Sequence, residues 1–385
     1  MVQQQSRAAG LNRLLTKAAS SSVLLSILSA FAVGAVFMII TGSDPITGYT
    51  AMVKGSFGTG IGFTNTINRA IPIVCFGIAI AIAFRAGIFN LGAEGQAVLG
   101  ALTGGLVALY LPGPAILVTI AAIVTAFITG ALWGLITAVL QNLLGVPILI
   151  STLLLNYPAR FFSSWLIRFK LNDPSTDLIA SAQINKDVLL PYIVPRGSET
   201  AKSLAANFGG TSHITSFLTG VNVSLFLVIA LLVAVVFMNA KTKYGFESGL
   251  AGKNPEFTRY GGVNPGLLTV KTMVLSGGLA GVAGVLLVIG LPNTRMLEGH
   301  VVQTGYAYTA LLVTLLALYR PLGTAIAGVF FAAIMVGSDA MGRELGMSPQ
   351  ISAVIQSLVI IFISFKIVLP QLKKSRSAAA AGGAK

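Results

Sequence analysis

The chain has 385 residues, of which 55% are hydrophobic and only 9% charged, with a mean hydropathy of +0.86. Soluble domains carry about 25% charged residues, so a water-soluble globular fold is excluded. The formal net charge of +14 would suit nucleic acid only if the cations were interleaved with aromatics, and instead they gather in three separate places along the chain.

What remains is an all-α, polytopic membrane helical bundle. A membrane barrel would show ten-residue segments of alternating polarity, whereas Leu225 to Met238 is apolar on every face. Residues 1–20 form a cytoplasmic N-terminal segment with Arg7, Arg13 and Lys17. The apolar stretch from Val23 to Ile40 exceeds a 7–15-residue signal core and reads as an uncleaved first span. A helix needs about 20 apolar residues to cross a bilayer, and such windows predict about ten spans, near 21–42, 68–86, 93–111, 114–140, 148–169, 219–239, 267–290, 304–319, 322–340 and 349–369. An even count from a cytoplasmic N-terminus returns the C-terminus to the cytoplasm, where the basic tail 370–385 with Lys373, Lys374 and Arg376 belongs by the positive-inside rule. The membrane domain is thus 21–369. The same count puts the long segment 170–218 outside, and the loop 240–266, with Lys241, Lys243, Lys253 and Arg259, inside.

Forty-three glycines include the small-xxx-small pairs Gly100 with Gly104, Gly130 with Gly134, and Gly277 with Gly281. Lipid tails are as apolar as leucine, so membrane helices associate by close backbone packing that small residues permit. Cys75 is the only cysteine, and His213 and His300 are too scattered for a metal cluster, so no metal site is expected. Gly249 to Asn254 imitates the end of a phosphate loop, but Glu247 stands where its first glycine would be and Asn254 replaces the required hydroxyl. The chain is therefore expected to be no enzyme and to hold no ATP site of its own.

Two segments interrupt the apolar runs. Phe84 to Gln96 places Arg85, Asn90, Glu94 and Gln96, with glycines at 87, 92 and 95, between two spans with almost no loop. An ionised carboxylate at mid-bilayer costs about 2.5–3.5 kcal/mol on insertion scales, so such a group faces a cavity or a partner. Two readings stand: a broken or re-entrant backbone, or a cytoplasmic turn with Glu94 capping the next helix. The second segment is Lys241 to Asn264. Asn254 can cap a helix with Pro255 in its first turn and Glu256 near the positive end of its dipole, and Gly261-Gly262 can stop it. A helix there is either a docking element, since the loop has too little apolar material for a core, or a solvated loop with capping signals.

At these segments the sequence resembles the permease subunits of ATP-binding-cassette importers in the branched-chain amino acid, ribose and simple-sugar group. Phe84 to Gln96 looks like the signature of the nucleoside and simple-sugar branch. Tyr244 to Phe246, Asn254 to Glu256, Gly261 to Asn264, Ser276 to Gly284 and Gly305 to Gly323 look like the same family. Ser248-Gly249-Leu250 and Gly261 depart from its usual pattern.

The resemblance implies a multi-pass permease of a bacterial-type cell membrane. It would form the path for a small polar solute, nucleosides or simple sugars, with ATP and Mg bound by a separate cytoplasmic ATPase. The expected partners are that ATPase, a second permease or a copy of this chain, an extracytoplasmic solute-binding protein and membrane lipid. Asn90, Glu94, Gln96, Asn156 and Tyr157 are the candidates for the solute path. Asn254, Pro255, Glu256, Arg259, Gly262 and Asn264 are the candidates for coupling to the ATPase. The rival reading is an ion-coupled secondary transporter, which would hold ionisable residues in several spans.

Overall fold

Backbone surrounded by hydrocarbon must satisfy its own N–H and C=O groups, and a helix does so within one segment. The computed structural model describes residues 22–290, 294–302 and 305–346, with positions 354 and 357, and the apolar runs there are helical. In chain order the helices are α1 (Ser22–Ile40), α2 (Pro45–Val53), α3 (Gly60–Arg85), α4 (Ala93–Tyr110), α5 (Ala115–Leu144), α6 (Ile148–Phe169), α7 (Glu199–Phe208) and α8 (His213–Gly220). They continue with α9 (Ser224–Lys241), α10 (Lys243–Ala251), α11 (Pro255–Tyr260), α12 (Pro265–Ile289), α13 (Glu298–Val302), α14 (Tyr306–Leu316) and α15 (Pro321–Glu344). The first nine expected spans all fall on helices; the tenth, 349–369, lies outside the described residues apart from two positions.

Helices α3, α5, α9, α12 and α15 are long and apolar enough to cross a membrane. The expected span 304–319 is shorter than its sequence suggested. Helix α14 has 11 residues, about 17 Å at 1.5 Å per residue, roughly half of a 30 Å hydrocarbon core. It stops because Leu318 and Tyr319 both take positive φ, 51° and 60°, a conformation that costs about 1–3 kcal/mol at a non-glycine residue.

The chain divides into two compact units. One comprises residues 1–58 and 333–385, the other residues 59–332. In the first, Phe31 of α1 meets Tyr49 of α2 edge to face, and the Tyr49 hydroxyl donates to the Phe31 carbonyl. Gly55 faces Ala340, and Gly337 faces Met52, in each case too closely for a larger residue.

The second unit is organised around α12, which is buried along nearly its whole length against α5, α4 and α3. The glycine pairs seen in the sequence meet one another here. A methyl group added at Gly281 would overlap the Ala126 carbonyl oxygen of α5, one at Gly284 would overlap the Ala97 carbonyl oxygen of α4, and one at Gly130 would overlap the Gly277 carbonyl oxygen. Backbone thus lies on backbone across α4, α5 and α12, as bilayer packing by small residues requires.

The segment after α6 holds a short 3-10 turn, α7 and α8 rather than a separate domain. It is stitched by backbone hydrogen bonds to the chain around α13, with Ser181 N–H donating to Met296 O at 3.1 Å and Ile184 N–H to Thr294 O at 2.7 Å. Arg295 fastens the same seam by donating to Asp173 at 2.5 Å and to Ser181 O at 2.8 Å. The guanidinium beside it holds the Asp173 carboxyl down at about 2, below the usual 3.8. A carboxylate depressed in the folded chain stabilises above its unfolded pKa and loses that contribution as pH falls through the folded value. The tie from Arg295 to Asp173 should therefore be intact at pH 4 and weaken as pH drops towards 2, loosening the 173–181 end of the seam while its backbone hydrogen bonds remain. Pepsin cleavage within 173–181, normalised to a site elsewhere in the chain, should rise only across that interval.

Candidate functional site

Helix α3 ends in a Schellman turn. Gly87 N–H donates to Phe84 O and Ile88 N–H to Ala83 O, both at 3.0 Å, with Gly87 at φ 77°. That pattern satisfies the last carbonyls of a helix and needs a residue tolerant of positive φ. The chain then turns back among the helices. Asn90, wholly buried, donates to Gln96 Oε1 and to Ser276 Oγ, each at 2.9 Å. Its oxygen accepts from Gly92 N–H at 3.0 Å and from Gln96 Nε2 at 3.3 Å. All four hydrogen-bonding positions of this amide are therefore engaged. Ser276 in turn donates to Ala79 O at 2.8 Å, so one buried network ties the interruption to α3, α4 and α12. Ser276 is eleven residues past Pro265, roughly 16 Å along α12. The interruption therefore lies well inside the bundle.

Helix α4 starts without a side-chain cap of its own at Gly92. Asn156 of α6 supplies it from outside: its oxygen accepts from Gly95 N–H at 2.9 Å and its Nδ2 donates to Leu91 O at 3.0 Å. Gly95 has to be glycine at this point, because a Cβ would stand 2.8 Å from Asn156 Oδ1 and 3.0 Å from its Cα. Glu94 is buried in the first turn of α4, where the helix dipole favours a carboxylate. Tyr157 is exposed and stacked on Phe161 at 6.4 Å. Tyr308 of α14 lies within electrostatic reach of Glu94, Arg160 and Tyr157.

The sequence candidates therefore divide. Asn90 and Gln96 are paired with each other and Asn156 holds the backbone on either side of Gly92, whereas Glu94 is buried in the first turn of α4 and Tyr157 is exposed beside Phe161. Arg160, Tyr308 and Ser276 were not singled out from the sequence. Ser276 and Tyr308 fall within stretches that carry the family resemblance, but nothing in the sequence marks either as a partner of the interruption.

The loop after α9 holds two helices where the sequence suggested one, between Asn254 and Gly261. Helix α10 begins at Thr242, whose hydroxyl accepts from Gly245 N–H at 3.1 Å. Helix α11 is the expected one, six residues between the Asn254 cap and Gly261. Asn254 Oδ1 accepts from Phe257 N–H at 2.9 Å, Pro255 takes the first position, Glu256 lies in the first turn and Arg259 in the last. Gly262 leaves at φ 82°, and Asn264 caps α12 by accepting from Leu267 N–H at 3.1 Å. Phe257 and Tyr260 are exposed.

Helix α10 binds this loop to the bundle. Tyr244 donates to Thr272 Oγ1 of α12 at 3.1 Å, and burial pushes its phenol up to about 12. At the far end of α10, Gly252 lies against the Schellman turn so closely that a Cβ there would overlap the Arg85 carbonyl oxygen and come within 3.1 Å of Gly87 N. The residue that follows α10, three positions before α11, is therefore in direct backbone contact with the turn that opens the interruption.

At the opposite end of the unit is a polar cavity of about 430 Å³, walled by Asn65, Asn68, Ser216, Thr219 and Asn222. The Arg196 guanidinium lies 4.9 Å over the Tyr192 ring at its edge. Asn65 and Asn68 are three apart on α3, a spacing that places both on one face and was overlooked in the sequence.

Residues 62–364 match the family described as branched-chain amino acid transport system, permease component. A glucose ABC transporter permease of Haloferax volcanii is 30% identical over 88% of this chain and 86% of its own length. A nucleoside ABC transporter permease of Lactococcus lactis is 28% identical over 93% of this chain and 95% of its own length, and a guanosine ABC transporter permease of Bacillus subtilis is 27% identical over 91% and 96%. With apolar spans, a buried polar interruption and a match covering most of its length, the chain belongs to the family of branched-chain amino acid transport system permease components and is a multi-pass membrane protein.

Proposed function

We propose that this chain is the permease subunit of an importer for neutral nucleosides, driven by a separate cytoplasmic ATPase that carries the ATP and Mg. The observation that carries the reading is the backbone contact through Gly252, which sets the end of α10, three residues before the exposed helix α11, directly on the turn that ends α3. A push on α11 reaches the interruption without passing through flexible side chains. In this reading Asn254, Pro255, Gly262 and Asn264 fix α11 at a definite angle, and Glu256 and Arg259 meet the ATPase. Asn90, Gln96 and Asn156 shape the solute path, and Glu94 and Tyr157 line it.

Residues 240–266 and both termini lie in the cytoplasm, and 170–218 lie outside. The cavity of Asn65, Asn68 and Asn222 then opens towards a solute-binding protein, with amides and hydroxyls suited to an uncharged polar cargo. Nucleosides are favoured over sugars because the Phe84 to Gln96 signature leans that way and two of the similar permeases are named for nucleosides. The second permease is a homologue or another copy of this chain.

Reconstitution with the cognate ATPase and binding protein tests this. Guanosine uptake should require ATP and all components, and the chain alone should hydrolyse none. Uptake by the chain alone, driven by a proton or sodium gradient, would establish a secondary transporter instead. Reversing charge by Glu256→Lys or Arg259→Glu should lower uptake at least tenfold while insertion and contact with the binding protein persist. An exposed residue without such a role changes stability by only about 0.5 kcal/mol, and near-normal uptake by both variants would remove them from the interface.

A further inference from the structure

A cavity of about 610 Å³ opens where the ends of α3, α9 and α14 meet α10, at the same end of the unit as α11. Its walls carry Arg85, Lys253 and Arg320 and, among the described residues, no acidic side chain. The nearest carboxylate on α10, Glu247, is engaged by Lys243 at 3.6 Å. Arg85 is held by one long hydrogen bond, from Nη2 to Gly245 O at 3.4 Å, and its Nε is buried with no acceptor among the described residues. The Asn239 side-chain oxygen in the same wall is also buried without a donor, and rotation of that amide would present N–H groups instead. The strained pair Leu318 and Tyr319 forms the facing wall.

We propose that this cavity binds a phosphate group, taken either from an anionic lipid headgroup or from a free phosphate. The argument is one of charge and shape. Three cations around an open space repel one another unless an anion is present. A guanidinium offers paired donors that match phosphate oxygens, and Arg85 has a donor to spare. Phe84, Phe246 and Leu250 also line the wall and give the start of a lipid acyl chain an apolar surface. The site is separate from the proposed solute path, because none of Asn90, Glu94, Gln96, Asn156 and Tyr157 lines it. A bound phosphate would brace Gly252 and the turn from beneath, which makes it a regulator of the contact between α10 and α3.

Full-length chain, delipidated in a nonionic detergent, can be titrated with dioleoylphosphatidylglycerol, dioleoylphosphatidylcholine and inorganic phosphate, with native mass spectrometry as the readout for lipid and calorimetry for phosphate. The wild type should bind phosphatidylglycerol at least tenfold more tightly than phosphatidylcholine, or bind inorganic phosphate, and the two arms separate the sources. The exposed double substitution Lys253→Gln with Arg320→Gln should weaken the preferred ligand at least tenfold without changing the melting temperature. Arg85→Lys, which keeps the charge and removes Nε, should weaken it by a smaller factor. Binding unchanged in both variants would place the ligand elsewhere and overturn the proposal. So would absence of binding by the wild type, or protection of Lys253 from acylation only when the ATPase is added, which would assign the cations to a partner's carboxylates.

Discussion

Replacing Gly281 by alanine should leave a chain that inserts but packs poorly. The added methyl overlaps the Ala126 carbonyl oxygen, and backbone cannot swing aside as the tip of a side chain can. Overfilling a close-packed interior costs about 1–3 kcal/mol. Here the strain falls on the contact that joins α12 to α5, so a cost at or above the top of that range is expected. Gly281→Leu should abolish a monodisperse purified protein altogether. Gly299→Ala is the matched control. It lies in α13 with nothing within 4 Å of its would-be Cβ, and alanine should leave the melting temperature unchanged or slightly raised, since glycine inside a helix costs about 0.5–1 kcal/mol relative to alanine. Equal melting temperatures for Gly281→Ala and the control would mean that α12 and α5 are further apart than described.

Gly252→Ala should separate ATP hydrolysis from transport. Its backbone is helical at φ −67°, so alanine introduces no local strain, and the whole effect falls on the overlap with the Arg85 carbonyl. The contact between α10 and the Schellman turn must open, and uptake should drop at least tenfold while the assembled complex still hydrolyses ATP. Gly262→Ala makes the useful contrast. Position 262 has positive φ but nothing within 4 Å, so alanine there costs about 1–2 kcal/mol of backbone strain without touching the α10 contact. If Gly252→Ala transports normally, the mechanical link runs elsewhere, and Tyr244 on Thr272 is the next connection to sever.

Much of this arrangement was legible in the sequence, for reasons that differ by segment. Apolar length gave the spans from 21–42 to 322–340 because the bilayer leaves a helix no alternative. Asn254, Pro255 and Gly262 gave α11 because capping is local chemistry, complete within ten residues. The glycine pairs gave the close helix contacts but not their partners. Nothing local says that Gly130 faces Gly277, since that is decided by how three helices nest.

The polar interruption was visible as an anomaly, yet whether it re-enters the bundle depended on residues far away. Asn156 and Ser276 fix that geometry from 61 and 186 residues' distance. Helix α10 was missed because Thr242 is a modest cap followed by two glycines. The early end of α14 was missed because Leu318 and Tyr319 are residue types that rarely adopt positive φ.

The separation between Asn90 and Ser276 has a consequence for how the protein is made. A ribosome adding about 5–20 residues per second needs roughly 10–40 s to deliver Ser276 after Asn90 has emerged. For most of that interval α3 and α4 are already made, while the amide of Asn90 lacks its α12 partner and the glycine face of α4 lacks the helix that covers it. Nascent chains halted before residue 276 should therefore hold the 84–96 segment in the translocation machinery or at the headgroup level. Release into the bilayer interior should come only with the arrival of α12, so the last long central helix acts as the step that commits the first half of the chain to the membrane.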